Sequence, residues 1–550
     1  MKQICALSGQ PFEITDFELL LRKKFGMESL PVVAPQYRFR HLGAFWAHWN
    51  LHHRKCDKTG KSIISVFSGK CPYPVWHKDE WIKNANPKGI DFNESRNVFE
   101  QMWDFFQHSP IPHNVSVGCD NCLYTDDSWY CKGCYLCHSI FGCEDLKYSY
   151  RQIRMKDSQF CVFTFDSELC VDAVNCQSCF EVRYALHCRN CQDSAFLYDC
   201  RNCSNCLFCF NLRNKQYCIG NKQFTKEQFE EEKKKWNLSS RKIYEKAKTH
   251  FSSMMQTLAY HRAQHIEHCE NSTGDYLSDN KNCQNCFFFS DLEDAVNCAR
   301  GGLVVKDLLD NVGAGDQSEL VYCSENTMAH CYNIKWCFEV SECKYLEYCG
   351  HCFQCENCFG CCGLVGKKYY IFNKSYSEVE YKILREKIIN HMHQTGEYDQ
   401  FFPGYFAPHP YEESWSSTHF QLNKEEQKKL GFRLQENFEA EQSNYESPLG
   451  IPDTPDETGS DFSKKIFWDE KRKRPFQIQP ADIEFCKKLS IPLPNTYYVR
   501  RLQENFSWLP FDGKLRKTSC GKCAQGIQTS WRDIYDGRIL CNECYLGIVK

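Results

Sequence analysis

The sequence predicts a mainly β protein with helical insertions, in which tandem cysteine-rich parallel β-solenoid arrays are flanked by duplicated zinc-ribbon-like modules. All 17 cysteines from Cys119 to Cys218 lie a multiple of three residues apart, a period that fits neither an α-helix nor a flat strand. A second cysteine-rich stretch repeats this one 152 residues later, and the two ends of the chain repeat each other 464 residues apart. The predicted domains are 1–83, 84–116, 117–224, 225–268, 269–374, 375–402, 403–463 and 464–550.

Length and composition are typical of a soluble, multidomain protein. The 550 residues exceed what one core organises, so about three to five domains are expected. Of 39 cysteines, 31 lie between Cys119 and Cys362, yet the first residues lack the basic start and apolar core of a secretory signal. No stretch has the roughly 20 apolar residues of a membrane span. We therefore expect a cytoplasmic protein without membrane contact, with reduced thiols partly bound to zinc.

The net charge of −3 is unevenly distributed. Residues 1–83 hold 13 basic and 7 acidic residues, and residues 464–550 hold 17 and 9, so the middle of the chain is strongly acidic. Basic ends on an acidic body could contact nucleic acid, although solvated lysine and arginine on small domains explain the same charge.

The C-terminal module, residues 464–550, carries the most specific chemical motif. Two Cys-x2-Cys pairs stand 17 residues apart. This spacing brings four thiolates to one tetrahedral Zn²⁺ at about 2.3 Å, and a closed four-sulfur shell stabilises a fold rather than catalysing a reaction. The predicted ligands of this structural zinc are Cys520, Cys523, Cys541 and Cys544.

The N-terminal module, residues 1–83, repeats the C-terminal one with altered ligand positions. Its four equivalent residues are Cys56, Thr59, His77 and Glu80. Threonine is a poor zinc ligand, so a second metal site would use Cys56, Cys71 and His77. Alternatively, this is a degenerate zinc-finger-like module held together by packing of its aromatic side chains. These are Phe39, Phe45, Trp46, Trp49, Trp76 and Trp81.

Residues 84–116 contain a predicted amphipathic helix from Asp91 to Phe106. The helix should stop before Ser109-Pro110, because proline cannot continue it. Its aromatic side chains indicate docking between the first module and the array rather than cofactor binding.

The two arrays, residues 117–224 and 269–374, share a cysteine pattern. Short runs of strand-forming residues alternate with turns rich in Asn, Asp and Ser, which is typical of a parallel β-solenoid. Equivalent pairs at the offset of 152 include Cys131 and Cys283, Cys179 and Cys331, and Cys200 and Cys352.

The array thiols permit three interpretations. As a buried interior ladder they need no ligand, since neutral cysteine is small and apolar. As zinc or iron–sulfur ligands they need four converging sulfurs, and a redox role needs exposure and a lowered thiol pKa. A solenoid that turns every third residue inward favours the ladder. The candidate array ligands are Cys200, Cys203, Cys206, Cys209, Cys349, Cys352, Cys355 and Cys358.

Helices are predicted after each array. Thr225 with Gln228, and Ser377 with Glu380, form capping-box patterns within 225–268 and 375–402.

Two further stretches carry weaker predictions. His261, His265 and His268 stand at helical spacing and are expected on a solvated helix face rather than on a metal. Residues 403–463 are expected to form a polar, mobile linker.

The chain resembles an uncharacterised family of cysteine-rich zinc-ribbon proteins from candidate-phyla (Patescibacteria-type) bacteria. The likeness covers nearly the whole chain and rests on Pro11-Phe12-Glu13-Ile14, on Arg54 to Ser65, on Asp91-Phe92 with Phe99-Glu100-Gln101, and on Asn211 to Tyr217. It implies architecture and bacterial origin but no reaction. The family's first module looks like a double zinc finger. Here Ser8, Ala34 and Tyr37 stand where its cysteines would be, so the resemblance implies that the first zinc site is lost.

Three functions are compatible with these features. The leading hypothesis is a non-enzymatic, zinc-stabilised binding scaffold whose partner is RNA, the ribosome or a protein. The second is multi-metal thiolate storage or buffering by the arrays. The third is an enzyme that acts on a polymer along a β-helix groove, although no paired carboxylates or Ser/His/Asp set is recognisable in the sequence.

Overall fold

The computed structural model describes residues 1–48, 50–435 and 445–549. Within these ranges the protein is mainly β, and its largely parallel sheets include one mixed sheet of 14 strands. No helix in the described ranges has the length and apolar character needed to cross a membrane. Trp49, one of the aromatic residues predicted to hold the N-terminal module together, lies outside the described residues.

Array 1, residues 117–224, pairs with itself in parallel at an offset of 12 residues. Tyr150 pairs with His138, and single bridges such as Lys132 with Glu144 continue this register between the strands. Each 12-residue stretch, called a layer below, therefore stacks on the next. The strands are Ser116–Val117, Asp126–Trp129, His138–Phe141, Tyr150–Ile153, Phe180–Leu186, Gln192–Tyr198, Ser204–Phe210, Gln216–Ile219 and Lys222–Gln223.

A left-handed residue at every third position explains the cysteine period. Asn202, Asn205 and Phe208 have φ values of 53°, 51° and 53°. Asn and Asp tolerate this conformation because their short polar side chains bond locally. From Thr125 to Cys209 the residue after each left-handed one is buried, as at Cys203 and Cys206. One side chain in three thus enters the interior, and the cysteines occupy that position.

Side chains 12 residues apart also stack between layers of array 1. The Asn190 amide donates to Asn202 at 3.0 Å, and Asn202 donates to Asn214 at 2.9 Å. The rings of Phe196 and Phe208 stack with centroids 5.2 Å apart. A left-handed phenylalanine costs about 1–2 kcal/mol. Ring stacking, worth about 0.5–1.5 kcal/mol, offsets much of that cost.

Array 2, residues 269–374, has central layers that are one residue longer. Leu292 pairs with Val305 at an offset of 13, whereas Tyr332 pairs with Lys344 at an offset of 12. Consecutive left-handed residues at Leu303 and Val304 accommodate an extra residue. The strands of this sheet are Ile266–Glu267, Gly274–Ser278, Lys281–Gln284, Cys286–Ser290, Leu292–Gly301, Val305–Ala314, Glu319–Met328, Tyr332–Lys335, Phe338–Ser341, Lys344–Glu347, Gly350–Phe353, Glu356–Phe359, Lys368–Ile371 and Lys374–Ser375.

Helices follow each array, as predicted, and both capping boxes are present. The helices are Lys226–Lys234 and Arg241–Thr257 after array 1, and Glu378–Thr395 after array 2.

The prediction that three histidines share a helix face is wrong. The helix ends at Thr257, and the chain continues into the short strand His261–Arg262. His261 is buried, and its ring nitrogens lie 2.8 Å from the Tyr198 hydroxyl and 2.9 Å from the Met255 carbonyl oxygen. Tertiary pairing therefore overrides the helical spacing.

The helix in the segment 84–116 is shorter than predicted and runs over Val98–Phe106. It ends before Pro110, as expected. The Glu397 carboxylate accepts from the backbone N–H groups of Val98 and Phe99 at 2.9 and 2.7 Å, which stabilises the N-terminal end of the helix. Its Phe105 ring lies 5.9 Å from Phe372 at the end of array 2.

Each terminal module contains two β-hairpins and three helices in the same order. The N-terminal elements are Lys2–Ile4, Pro11–Glu13, Asp16–Lys24, Pro35–Leu42, His52–Lys55, Ser62–Ser65, Val75–Trp76 and Lys78–Asn84. The C-terminal elements are Ile466–Asp469, Arg474–Gln477, Pro480–Leu489, Tyr498–Phe506, Arg516–Ser519, Gly526–Thr529, Ile539–Leu540 and Asn542–Leu546. Each module pairs with the strand that precedes one array. Val75 pairs with Ile111 before array 1, and Ile539 pairs with His261 before array 2.

Residues 403–435 of the predicted polar linker pack onto the core. Phe406, Tyr411 and Trp415 are buried, and the Trp415 N–H donates to the Trp46 carbonyl at 2.9 Å. A few aromatic anchors thus attach an otherwise polar segment to the core. The helical turns of the predicted linker are Gly404–Phe406, Tyr411–Glu413, Ser416–His419, Lys424–Lys429, Pro448–Gly450, Pro455–Glu457 and Phe462–Lys464. Its residues 436–444 lie outside the described residues.

Candidate metal centre

The four cysteines predicted in the C-terminal module converge. The sulfur atoms of Cys520, Cys523, Cys541 and Cys544 all lie within 4.8 Å of one another, and those of Cys523 and Cys541 are 3.8 Å apart. Sulfurs placed about 2.3 Å from a tetrahedral metal are separated by about 3.8 Å. The group can therefore hold a metal ion.

The backbone around Cys520 pre-forms this site. Cys520 follows the strand Arg516–Ser519, and its carbonyl accepts from the Ala524 N–H at 2.9 Å to close a tight turn. A Cβ on Gly521 would lie 2.0 Å from the Gly537 carbonyl oxygen, so the turn requires glycine there. Cys541 caps the helix Asn542–Leu546 and presents Cys544 on its first turn.

Backbone donors favour a thiolate at Cys520. Burial raises the pKa of this thiol, but hydrogen bonds from backbone N–H groups, including those of Cys523 and Cys541, lower it to about 6. Metal binding requires deprotonated sulfur, so this environment is prepared for a cation.

The same local geometry occurs four times in the two modules. The first residue of each site is Cys5, Cys56, Asp469 or Cys520, directly after or at the end of a hairpin strand. In each site a later backbone N–H donates to its side chain. The donors are Ala34 to Cys5 at 3.4 Å, His77 to Cys56 at 3.3 Å, Tyr497 to Asp469 at 2.9 Å and Cys541 to Cys520 at 3.3 Å. Each donor residue also caps the helix that follows.

The structure does not bring Cys56, Cys71 and His77 together as a metal site. Among the described residues, the group around Cys520 is the one set of His, Cys, Asp and Glu side chains with mutually close ligand atoms. The His77 ring instead stacks on His113 at 4.6 Å, and its Nδ1 accepts from the Asp79 N–H at the start of a helix. Burial raises the pKa of the Cys71 thiol to about 11, which disfavours a thiolate.

The candidate array ligands lie in the interiors of the two arrays. They are Cys200, Cys203, Cys206, Cys209, Cys349, Cys352, Cys355 and Cys358, all buried. In the part of the chain that the structure describes, they form no metal-compatible group. Their thiols donate to the main chain instead, as Cys200 does to the Tyr198 and Cys209 carbonyls at 3.5 and 3.6 Å. Burial raises the pKa of Cys137 and of Cys331 to about 12, whereas hydrogen bonds from neighbouring thiols lower the pKa of Cys203 and of Cys355. Burial and main-chain hydrogen bonds, rather than the acidity of the thiols, therefore characterise these cysteines. Of the three interpretations, this arrangement fits the interior ladder.

A groove between the arrays is the main feature that sequence reasoning missed. It encloses a cavity of about 290 Å³. Arg189 and Arg201, which are neighbours in consecutive layers, both pair with Glu267 across the groove. Burial opposes ionisation of Glu267, but these arginines hold its pKa below the usual value. The other lining residues include Arg151, Arg154, Arg262, Phe163, Phe165, Tyr276 and Phe288. Arginine repeated at a spacing of 12 is the signal that could have revealed this surface.

An ion pair from an equivalent arginine joins each module to one array, although the two aspartates do not lie at equivalent positions of the arrays. Arg501 of the C-terminal module donates to both oxygens of Asp172 in array 1, at 2.8 and 2.6 Å. Arg38 of the N-terminal module pairs with Asp310 in array 2 and with Glu18. Both aspartates are buried and have left-handed backbones. The two halves of the molecule are thus interlocked by matching contacts.

Comparison with known proteins adds no functional assignment. The chain matches no protein-family model, and a search of curated proteins finds no match either.

Proposed function

We propose that this protein is a non-enzymatic binding scaffold, stabilised by zinc, in which two parallel β-solenoids present their shared groove to RNA. The scaffold proposal rests on where the cysteine side chains lie. Array cysteines fill the interior and bond to the main chain, while four cysteines outside the arrays form a closed site. Zinc is the expected metal because four thiolates in a tetrahedron suit it, and such a site has no open position for substrate.

RNA is the proposed partner because five arginines and several aromatic side chains line one groove, in which five carboxylates also lie. Arg154 keeps more than half of its side chain exposed while it pairs with Asp166. Exposed pairs of this kind are weak, so a phosphate can replace the carboxylate. Phe165 and Tyr276 lie in the same groove and could stack on bases. The proposed setting is the bacterial cytoplasm, where thiols stay reduced.

Elemental analysis with thiol titration tests the scaffold. We expect about one zinc per chain, with array thiols that react only after denaturation. Several metal ions per chain, or iron with visible absorbance, would instead support metal storage by the arrays. Loss of metal from the Cys544→Ser variant identifies the site, and Cys71→Ser is the matched control.

RNA binding is tested by filter binding of single-stranded RNA over a range of salt concentrations. We expect affinity to fall as salt rises, because each phosphate contact releases a counterion. Arg154→Gln should weaken binding and lower the salt slope by up to about one unit. Arg516→Gln, which alters a surface pair with Asp536 in the C-terminal module, should bind as wild type. Wild-type protein without salt-dependent binding would exclude RNA and leave a protein partner.

Five carboxyl groups line the groove. Asp166, Asp199 and Glu267 pair with arginines there, while burial and repulsion from Asp279 raise the pKa of Asp291. The other two carboxyls considered for an enzyme lie outside the groove. Glu325 is fully buried, and Glu339 lines a separate cavity beside Trp129. Burial holds the pKa of both carboxyls well above the usual range. A paired acid and base open to one substrate site would be required for hydrolysis.

A further inference from the structure

A buried arginine stands where three parts of the molecule meet. Arg300, in the strand Leu292–Gly301 of array 2, has no exposed surface. Its Cζ atom lies 4.2 Å from the ring centroid of Trp46 in the N-terminal module and 4.3 Å from that of Tyr150 in array 1. The two rings cover the guanidinium faces, so only its N–H edge remains for a ligand.

The N–H edge of Arg300 lacks protein acceptors. Among the described residues, its Nε, Nη1 and Nη2 atoms have no hydrogen-bond partner, and none lies within 4.0 Å of a carboxylate oxygen. Three carboxylates line the same cavity, and each has another partner. Asp127 accepts from Trp129 Nε1 at 3.1 Å and from the Ser139 hydroxyl, Asp316 lies 3.9 Å from His330, and Glu342 accepts from the Gln354 amide at 2.9 Å. An unpaired buried cation costs several kcal/mol, so an acceptor is strongly favoured here.

A cavity of about 100 Å³ adjoins this arginine. Arg151 also lines it, and its Nε atom likewise lacks a partner while its Nη2 donates to the Gly301 carbonyl at 2.9 Å. Gly302, Gly313 and Gly315 form part of the wall, so main chain rather than side chain bounds the space. A cavity of about 150 Å³ holds the six carbons of benzene, which limits an occupant here to about four or five heavy atoms.

We propose that Arg300 and Arg151 form a binding site for a small oxyanion, of the size of inorganic phosphate or acetate. Oxygen acceptors match the planar fork of a guanidinium, whereas a monatomic anion cannot engage two N–H groups in this way. The site adjoins the RNA groove, because Arg151 lines both cavities, whereas Arg300 lines only the smaller one. The bound anion would neutralise the cation that joins the N-terminal module to both arrays.

Isothermal titration of the full-length protein with sodium phosphate and with sodium acetate tests this site, using sodium chloride at matched ionic strength as the blank. We expect saturable binding of one anion per chain. Phosphate binding alone would indicate a phosphoryl group, and acetate binding alone would indicate a carboxylate. Arg300→Lys keeps the charge but removes the fork, and should weaken binding about tenfold or more.

A second variant keeps the proposal testable if Arg300→Lys does not fold. Gly315→Val fills the cavity without touching the arginine, since a Cβ at Gly315 has its nearest neighbour 3.7 Å away. It should fold, as judged by circular dichroism, and lose about tenfold or more in affinity. Arg262→Gln removes another guanidinium that lines only the larger cavity and should bind as wild type. Absence of saturable heat with both anions, or unchanged affinity in both cavity variants, would overturn the proposal.

Discussion

The two terminal modules share a backbone but differ in what holds it together. Both contain two hairpins. After each hairpin, the residue whose backbone N–H donates to the first side chain of the site also caps the next helix. Only one of the four sites has four cysteines. At Asp469 the carboxylate accepts backbone N–H bonds and pairs with Arg500 at 3.9 Å, so protein charges occupy the place of a metal and its ligands.

The comparison indicates that the module can keep its fold at sites that lack four cysteines. The N-terminal module buries Phe39, Phe45 and Trp46 against array 2 and the segment after it. In the four-cysteine part of the C-terminal module, Leu540 and Tyr545 belong to a small cluster of their own, while Trp531, Tyr535 and Ile539 join the large core shared with array 1. Small cores need a metal or a disulfide, whereas a module merged into a larger core does not.

The sharpest test of this contrast replaces the first cysteine in each module. Cys520→Ser should release the metal and unfold the turns that carry the four cysteines, because metal binding supplies about 10–16 kcal/mol in isolated zinc fingers. Trp531, Tyr535 and Ile539 should stay in the large core. Cys56→Ser should leave the metal content unchanged and cost about 1–3 kcal/mol. Metal analysis and amide hydrogen exchange measure both effects. Equal loss of metal in the two variants would contradict the contrast.

The ion pairs between modules and arrays should be equivalent. Arg501→Gln and Arg38→Gln each leave a buried aspartate without its main partner, at a cost of about 3–5 kcal/mol. Urea unfolding at neutral pH measures both losses, and Lys464→Gln, which alters an exposed pair, is the control. A large loss in only one variant would show that the halves are unequal.

The Asp172 pair also predicts an acid-sensitive contribution. Burial alone would raise the pKa of Asp172, but attraction and hydrogen bonds from Arg501 hold it below its usual value. The contribution is therefore complete above the unfolded pKa of about 3.9 and is lost as pH falls through the lower folded value. Asp172→Asn should flatten this part of the curve of unfolding free energy against pH. An unchanged acid slope in the variant would refute the assignment.

The interiors of the arrays should resist larger side chains equally. Cys206 and Cys358 occupy equivalent positions at the offset of 152 and are both buried. Cys206→Leu and Cys358→Leu should each cost about 1–3 kcal/mol through overpacking, and Cys→Ala at the same sites should cost less. Thermal unfolding measures the difference. Tolerance of leucine in array 2 alone would show that its interior is less tightly packed at this position, where the neighbouring layers have 12 residues as in array 1.

The last prediction concerns the two short strands that pair with the modules, and how the free energy of unfolding depends on pH there. His261 stands where the other half has Ile111, and burial lowers the pKa of His261 to about 4. Its neutral form is favoured in the fold, so stability should fall as pH drops from about 6.5 towards 4, at up to about 1.4 kcal/mol per pH unit. His261→Ile should reduce this slope by the share of one histidine, although it loses the hydrogen bonds to Tyr198 and Met255. Part of the slope should remain, because burial also lowers the pKa of His113, His351 and His419 to about 3. Unfolding free energies at pH 7 and 5 provide the check, and an undiminished slope would refute the assignment.

Predictions from sequence succeeded where the chemistry is local or periodic. The Cys-x2-Cys pairs, the capping boxes at Thr225 and Ser377, and the burial of every third residue in array 1 follow from short-range spacing. They failed at His261, because this residue pairs with Ile539 of the distant C-terminal module. They did not reveal the burial of Trp415, whose hydrogen-bond partner Trp46 lies far away in sequence.

The sequence by itself therefore determined the repeat, the metal ligands and the position of the thiols, because each depends on residues within a few positions of one another. Tertiary structure alone decided how the two halves interlock, where the groove lies and why Arg300 is buried between Trp46 and Tyr150. Those features depend on which layers meet across the arrays. Residues that meet across the arrays lie in different layers and are far apart along the chain, so the spacing of residues in the sequence does not predict these contacts.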